Sequence, residues 1–264
     1  MKINDIIKKD NGDLIIALTY LLDKPKSFIF LNPDLNLDGN QIKEIERIER
    51  ELIDGHPLQY AIGEWEFYGL LLNVDKRALI PRFETEIIVD YLIKSPIRKA
   101  SILDIGTGTG AISLCLADNL PESRVTGVDI SKDALSLAIE NKEKLGIKNV
   151  NFLESDLFSN VNQTFDVIIS NPPYISQKDY DNLDKLLYHE PKTALLGGDD
   201  GLYFYREIVK SANEYLNDDG HLIFEIGYNQ KDAINMLLTE SDFKNINNIK
   251  DFNGFDRFII AQKG

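Results

Sequence analysis

Apolar side chains at Leu14, Ala17, Leu18, Leu21 and Leu22 recur at the three- and four-residue spacing of one helix face. Ile42, Ile45, Ile48 and Leu52 repeat that spacing between Asn40 and Ile53, interleaved with Glu and Arg, and Gly55-His56-Pro57 closes the segment. Residues 1 to about 60 therefore read as helices. From Trp65 the period shortens. Phe67, Leu70, Leu72 and Val74, broken by Tyr68-Gly69, predict a short β-hairpin, with Asp75-Lys76-Arg77 as a second turn. After about residue 85, strand-like runs at Ser101–Ile105, Arg124–Asp129, Val150–Leu153, Asp166–Ser170 and His221–Ile226 alternate with helical stretches, notably Ala111–Asn119 and Lys132–Leu145. Such alternation predicts right-handed βαβ units: an α/β doubly wound sheet, mostly parallel, with helices on both faces. A last strand, Arg257–Ala261, follows the Asn253-Gly254 turn and can pair antiparallel.

Composition narrows the picture. The 264 residues are 43% hydrophobic and 27% charged, ordinary for a soluble globular chain. A single cysteine, Cys115, excludes an internal disulfide and a cysteine-rich metal site, and His56, His189 and His221 are scattered, so no metal is expected. The formal charge of −14 argues against a phosphate-tracking surface, so a protein or small-molecule substrate is expected before a nucleic acid. The first residues mix charges where a signal peptide needs an apolar run, and Leu14–Leu22 and Ala111–Ala117 are too short to cross a bilayer. No membrane partner and a cytoplasmic location are expected.

Two motifs carry chemistry. Gly106-Thr107-Gly108-Thr109-Gly110 falls where the first strand of the sheet meets its helix, the place where open α/β sheets bind ligands. Its glycines permit a tight turn and close approach of a ligand. Asp129, ending the next strand, can accept hydrogen bonds from both hydroxyls of an adenosine ribose. Gly106, Gly108 and Ala111 also satisfy a dinucleotide fingerprint, which keeps a nicotinamide enzyme as an alternative. The third glycine and the acidic Asp104 favour the charged amino group of a methionine moiety over a pyrophosphate. The second motif, Asn171-Pro172-Pro173-Tyr174, follows the strand 166–170. Two prolines in series remove two backbone donors and leave carbonyls exposed. Carbonyls of Asn171 and Pro172 can each accept one N–H of a planar NH2 group, and the Tyr174 ring can stack on its plane.

With these residues in place, the chain resembles the release-factor glutamine N5-methyltransferases, a Rossmann-like family within the Asn-Pro-Pro-Tyr amino-methyltransferases. The resemblance also runs through Pro57-Leu58-Gln59-Tyr60, Leu79 to Glu86, Gly127 to Ser131, Glu190-Pro191, Gly197 to Leu202 and Glu225-Ile226-Gly227. It implies a helical substrate-recognition domain over 1–62, a hairpin connector over 63–82 and a methyltransferase domain over 83–264. It implies S-adenosyl-L-methionine held by Gly106 to Gly110, Asp129, Asp156, Leu157 and Asn171, and a target glutamine held by Asn171 to Tyr174, with Asn171, Pro172 and Tyr174 in the catalytic role. The implied acceptor is the Gly-Gly-Gln glutamine of peptide-chain release factors. An adenine-N6 methyltransferase or a glutamine methyltransferase for a ribosomal protein would use the same pocket chemistry. Phe83 stands where the family usually has proline, and Leu157 where an aromatic residue is frequent. Arg82, Glu84 and Glu86 read equally as a salt-bridged turn or as contacts to cofactor or acceptor.

Overall fold

The structure, a computed structural model, describes residues 1–96 and 99–264. The first segment forms α1 (Ile3–Ile7), α2 (Gly12–Leu22), α3 (Lys26–Leu31), α4 (Gly39–Ile53) and α5 (Leu58–Ile62). Asn11 caps α2 by accepting from Asp13 N and Leu14 N, and Asp38 with Gln41 forms a capping box at α4. The apolar faces read from the sequence meet in one core: Leu14, Ala17 and Leu18 of α2 pack with Ile45 and Ile48 of α4, closed by Ile3, Ile29 and Ala61.

The hairpin consists of β1 (Glu64–Phe67) and β2 (Leu70–Asn73). Tyr68 and Gly69 both have positive φ, +47° and +80°, as a two-residue turn between right-twisted strands requires. Its inner residues Phe67 and Leu72 belong to the core under the large sheet, while the Trp65 ring stacks on Tyr20 at 5.5 Å. The hairpin therefore touches both the helical unit and the sheet unit.

The remainder is α6 (Glu86–Lys94), β3 (Ser101–Ile105), α7 (Ala111–Asn119), β4 (Arg124–Asp129), α8 (Lys132–Leu145), β5 (Val150–Glu154), β6 (Phe165–Ser170), α9 (Gln177–Tyr180), α10 (Tyr203–Tyr215), β7 (Leu216–Glu225), α11 (Lys231–Glu240), β8 (Lys244–Lys250) and β9 (Asp256–Gln262). Strand order is β5-β4-β3-β6-β7-β9-β8, with β3 to β7 parallel and β9 antiparallel to both neighbours. Side chains alternate between faces. Ile102, Val167, Ile169, Ile223 and Phe258 face α6 and α7, whereas Leu103, Ile168, Leu222, Phe224 and Ile259 face α10 and α11. Burial on both faces explains why these strands read as continuous apolar runs.

Two departures from the sequence reading have physical causes. β7 begins at Leu216, before the expected His221, because Asn217 to Gly220 are polar residues that nonetheless continue the strand. β8 was not expected at all. It is an exposed edge strand rich in asparagine, a poor strand former, and it pairs on one side with β9.

Candidate active site

The strand order reverses between β3 and β6, which pair side by side, so their carboxyl ends open onto a shared crevice. The glycine loop leaves β3 there and Asn171 leaves β6 there. A cavity of about 430 Å³ lies between them, sized for a small organic ligand.

The loop is held from three directions. Gly106, Gly108 and Gly110 all have positive φ. In front, Asp129 Oδ2 accepts from Gly108 N at 2.9 Å, and Oδ1 accepts from Ser131 N at 2.9 Å. Burial raises the Asp129 carboxyl above its ordinary range, opposed by these backbone donors. Behind, Thr107 and Ser113 donate their hydroxyls to Asp104 Oδ2 at 2.6 and 2.7 Å. From the side, Asn141 of α8 donates to Thr109 O at 3.0 Å and to Asn73 O at 3.1 Å, tying the loop to the hairpin.

Of the residues expected to hold a cofactor, Gly106, Gly108, Asp129, Asp156, Leu157 and Asn171 line this cavity. Thr107, Thr109 and Gly110 do not stand on its wall: both threonines are buried behind the turn, and Gly110 caps α7. Asp104, expected beside a ligand's amino group, is fully buried under the loop and off the wall. Burial pushes its carboxyl up to about 6, and its Oδ1 has no hydrogen-bond partner. Of the acceptor motif, Asn171, Pro172 and Pro173 line the cavity, whereas Tyr174 packs against the core of α10 and β7. Burial first, and then the nearby Glu225 carboxylate, push the Tyr174 hydroxyl up to about 12.

The cavity also takes in residues that sequence reasoning missed. Ile130 is 61% exposed although apolar and sits directly after Asp129, a position that could have flagged it. Leu79, Pro191 and Ala194 come from stretches to which no site role was given, and Leu196 and Phe204 from segments with no local signal. The arginine and glutamates near residue 84 resolve as structural contacts in two cases. Arg82 pairs with the buried Glu190 at 2.5 Å, whose other oxygen accepts from Ile80 N, and Glu86 accepts from Tyr68 N. Phe83 opens a short 3₁₀ turn after the extended Arg82, and its ring meets Phe252 at 5.8 Å. Among the described residues, no group of three or more His, Cys, Asp and Glu side chains is arranged to hold a metal.

The family model of a methyltransferase domain matches residues 98–256. The chain is 47% identical over 231 residues to the release factor glutamine methyltransferase of Fusobacterium nucleatum, covering 86% of this chain and 65% of that longer one. It is 41% identical to the enzyme of the same name from Streptococcus pneumoniae, covering 83% and 80% of the two chains. Against the one from Buchnera aphidicola subsp. Baizongia pistaciae it is 34% identical over 265 residues, covering 100% and 96%. The chain belongs to the release factor glutamine methyltransferase family. The same fold occurs in a methyltransferase from Pyrococcus furiosus, with a TM-score of 0.57, 21% identity, and coverage of 86% of this chain and 100% of that one. It occurs also in a ribosomal protein L11 methylase from Lactobacillus delbrueckii, with a TM-score of 0.52, 20% identity, and coverage of 70% and 81%. Leu157 holds a positive φ of +49° on the cavity wall.

Proposed function

We propose that this protein transfers a methyl group from S-adenosyl-L-methionine to the side-chain amide nitrogen of a glutamine in a protein, the Gly-Gly-Gln glutamine of peptide-chain release factors. The observation that carries the reading is the meeting of the glycine loop and Asp129 with Asn171-Pro172-Pro173 around one cavity, in a chain of this family. The donor set suits the cofactor. Gly106 offers open space where a Cβ would stand, and Asp129 keeps lone pairs free for a vicinal diol. Ile130 and Leu157 offer apolar walls for a flat base.

S-adenosyl-L-methionine, when bound, supplies an electrophilic sulfonium methyl group. The protein's part is to prepare the nitrogen. An amide nitrogen is a poor nucleophile because its lone pair is conjugated with the carbonyl. Asn171 Oδ1 and the Pro172 carbonyl each accept one N–H and hold the NH2 group in a fixed plane. As the nitrogen loses conjugation it gains positive charge, and both acceptors bind the charged form more strongly than the ground state, which is the condition for catalysis. No strong base is required beforehand, since the extra proton leaves the charged product readily. In this reading Tyr174 backs the motif from the core of α10 and β7. Residues 1–62 form a helical recognition domain that grips the release factor, 63–82 a hairpin connector, and 83–264 the catalytic domain. The formal charge of −14 supports a protein acceptor over a nucleic acid.

Methyl transfer from labelled S-adenosyl-L-methionine to purified release factor, followed by fragment mass spectrometry, tests the proposal. A methyl group on the Gly-Gly-Gln glutamine is the expected result. Labelling of a ribosomal protein or of adenine in nucleic acid, with release factor unlabelled, would overturn the acceptor and leave the pocket chemistry standing.

A further inference from the structure

A carboxamide has two ends of similar shape, one accepting and one donating, so Asn171 can serve the glutamine only if its oxygen faces the cavity. What sets its direction lies behind it. Asn171 Nδ2 donates to Thr85 Oγ1 at 3.5 Å, and the Thr85 hydroxyl donates to Glu225 Oε2 at 2.6 Å. Thr85 stands in the turn before α6 and Glu225 at the end of β7, and both are buried, 4% and 3% exposed. A hydroxyl that gives its only proton to a carboxylate can offer the amide nothing but a lone pair. The amide must therefore turn its NH2 end to Thr85 and its oxygen toward the cavity.

We infer that Thr85 and Glu225 are positioning residues for methyl transfer, fixing the polarity of the Asn171 carboxamide so that its oxygen meets the glutamine NH2 group. The inference rests on the acceptor role proposed above for Asn171. Several groups bear on Glu225. Burial pushes its carboxyl up to about 7, Arg257 and Arg82 oppose that, and Glu84 adds to it. The Tyr205 hydroxyl donates to the Glu225 backbone carbonyl, and Tyr174 feels the carboxylate from the acceptor side. Ionised Glu225 accepts from Thr85. Protonated Glu225 donates to Thr85 Oγ1 instead, which frees the hydroxyl proton for Asn171 and reverses the amide. Turnover is thus expected to fall as pH drops below about 7, with cofactor affinity held.

The test is steady-state kinetics on Thr85→Val, Thr85→Ser and Glu225→Gln, with Asn171→Ala completing a double-mutant cycle, and cofactor Kd by calorimetry as the control for folding. Thr85→Val is expected to lower kcat roughly tenfold, the size of a hydrogen bond lost beside a charge, with cofactor Kd unchanged. Thr85→Ser restores most of that loss, Glu225→Gln flattens the pH limb, and Thr85→Val costs nothing further on the Asn171→Ala background. Wild-type kcat in Thr85→Val, or a loss that adds in full to that of Asn171→Ala, overturns the positioning role and leaves the acceptor role intact. Normal turnover in Asn171→Ala removes the acceptor role and the inference with it.

Discussion

The two sides of the cavity are assembled in opposite ways. The glycine-loop side comes from one stretch of chain, residues 104 to 157, and is braced largely from within: Asp129 holds Gly108, Asp104 holds Thr107 and Ser113, and Asn141 holds Thr109. The Asn171 side is assembled from pieces far apart in sequence. Thr85 precedes α6, Glu225 ends β7, and Arg257 of β9 bonds to Asp251 and to Ile226 O. A side built from neighbours forms once its own strands and helices do. One built from distant pieces needs the whole sheet in register, because only β3-β6-β7-β9 pairing brings those segments together. Substitutions on the two sides should consequently separate cofactor binding from turnover.

The largest expected effect breaks the Asn171 side alone. Asn171→Ala should reduce turnover on the order of 10²-fold or more, by analogy with the loss of one preorganised polar group, while cofactor affinity stays near wild type. Near-normal turnover would remove Asn171 from the chemistry. On the opposite side, Asp129→Ala should weaken cofactor binding by roughly tenfold or more, since a partly buried carboxylate loses charge-assisted hydrogen bonds and the Gly108 and Ser131 amides lose their acceptor. Unchanged affinity by calorimetry would reject the ribose assignment.

Gly127→Ala probes whether the glycine-loop side tolerates crowding. A Cβ there would stand 2.7 Å from the Phe152 ring and 2.8 Å from Ser113 Oγ, so a stability loss of about 1–3 kcal/mol is expected in urea denaturation. An unshifted midpoint would mean that Phe152 swings aside. The smallest effect is expected at Phe83. Arg82 already has the extended backbone, φ −97° and ψ 143°, that a residue before proline adopts, and Phe83 is the first residue of its turn. Phe83→Pro should change stability by less than about 1 kcal/mol and leave turnover unaltered. A large loss would assign the exposed ring pair of Phe83 and Phe252 a part in holding the turn.

Most of the frame was legible in the chain. The helices Ala111–Asn119 and Lys132–Leu145 and the strands Ser101–Ile105 and Arg124–Asp129 have the limits read from the sequence, because apolar runs and the breaks between them are local signals. The edge strand β8 escaped, since half-exposed asparagine-rich pairing leaves little apolar signal. The site divides along the same line. Glycines at a strand–helix junction and an acid ending the next strand announce a cavity wall, met at Gly106, Gly108 and Asp129, as Asn-Pro-Pro after a buried strand announces a row of carbonyls, because these are local demands on backbone angles and donors. The placement of Asp104 under the loop, the departure of Tyr174 from the cavity wall and the hydrogen-bond chain from Glu225 through Thr85 to Asn171 had no such signal. Thr85 and Asn171 lie 86 residues apart, and the direction of a carboxamide depends on which proton its neighbour has already given away. That neighbour exists only once α6, β6 and β7 have packed together, so the polarity of the acceptor is a property of the tertiary structure.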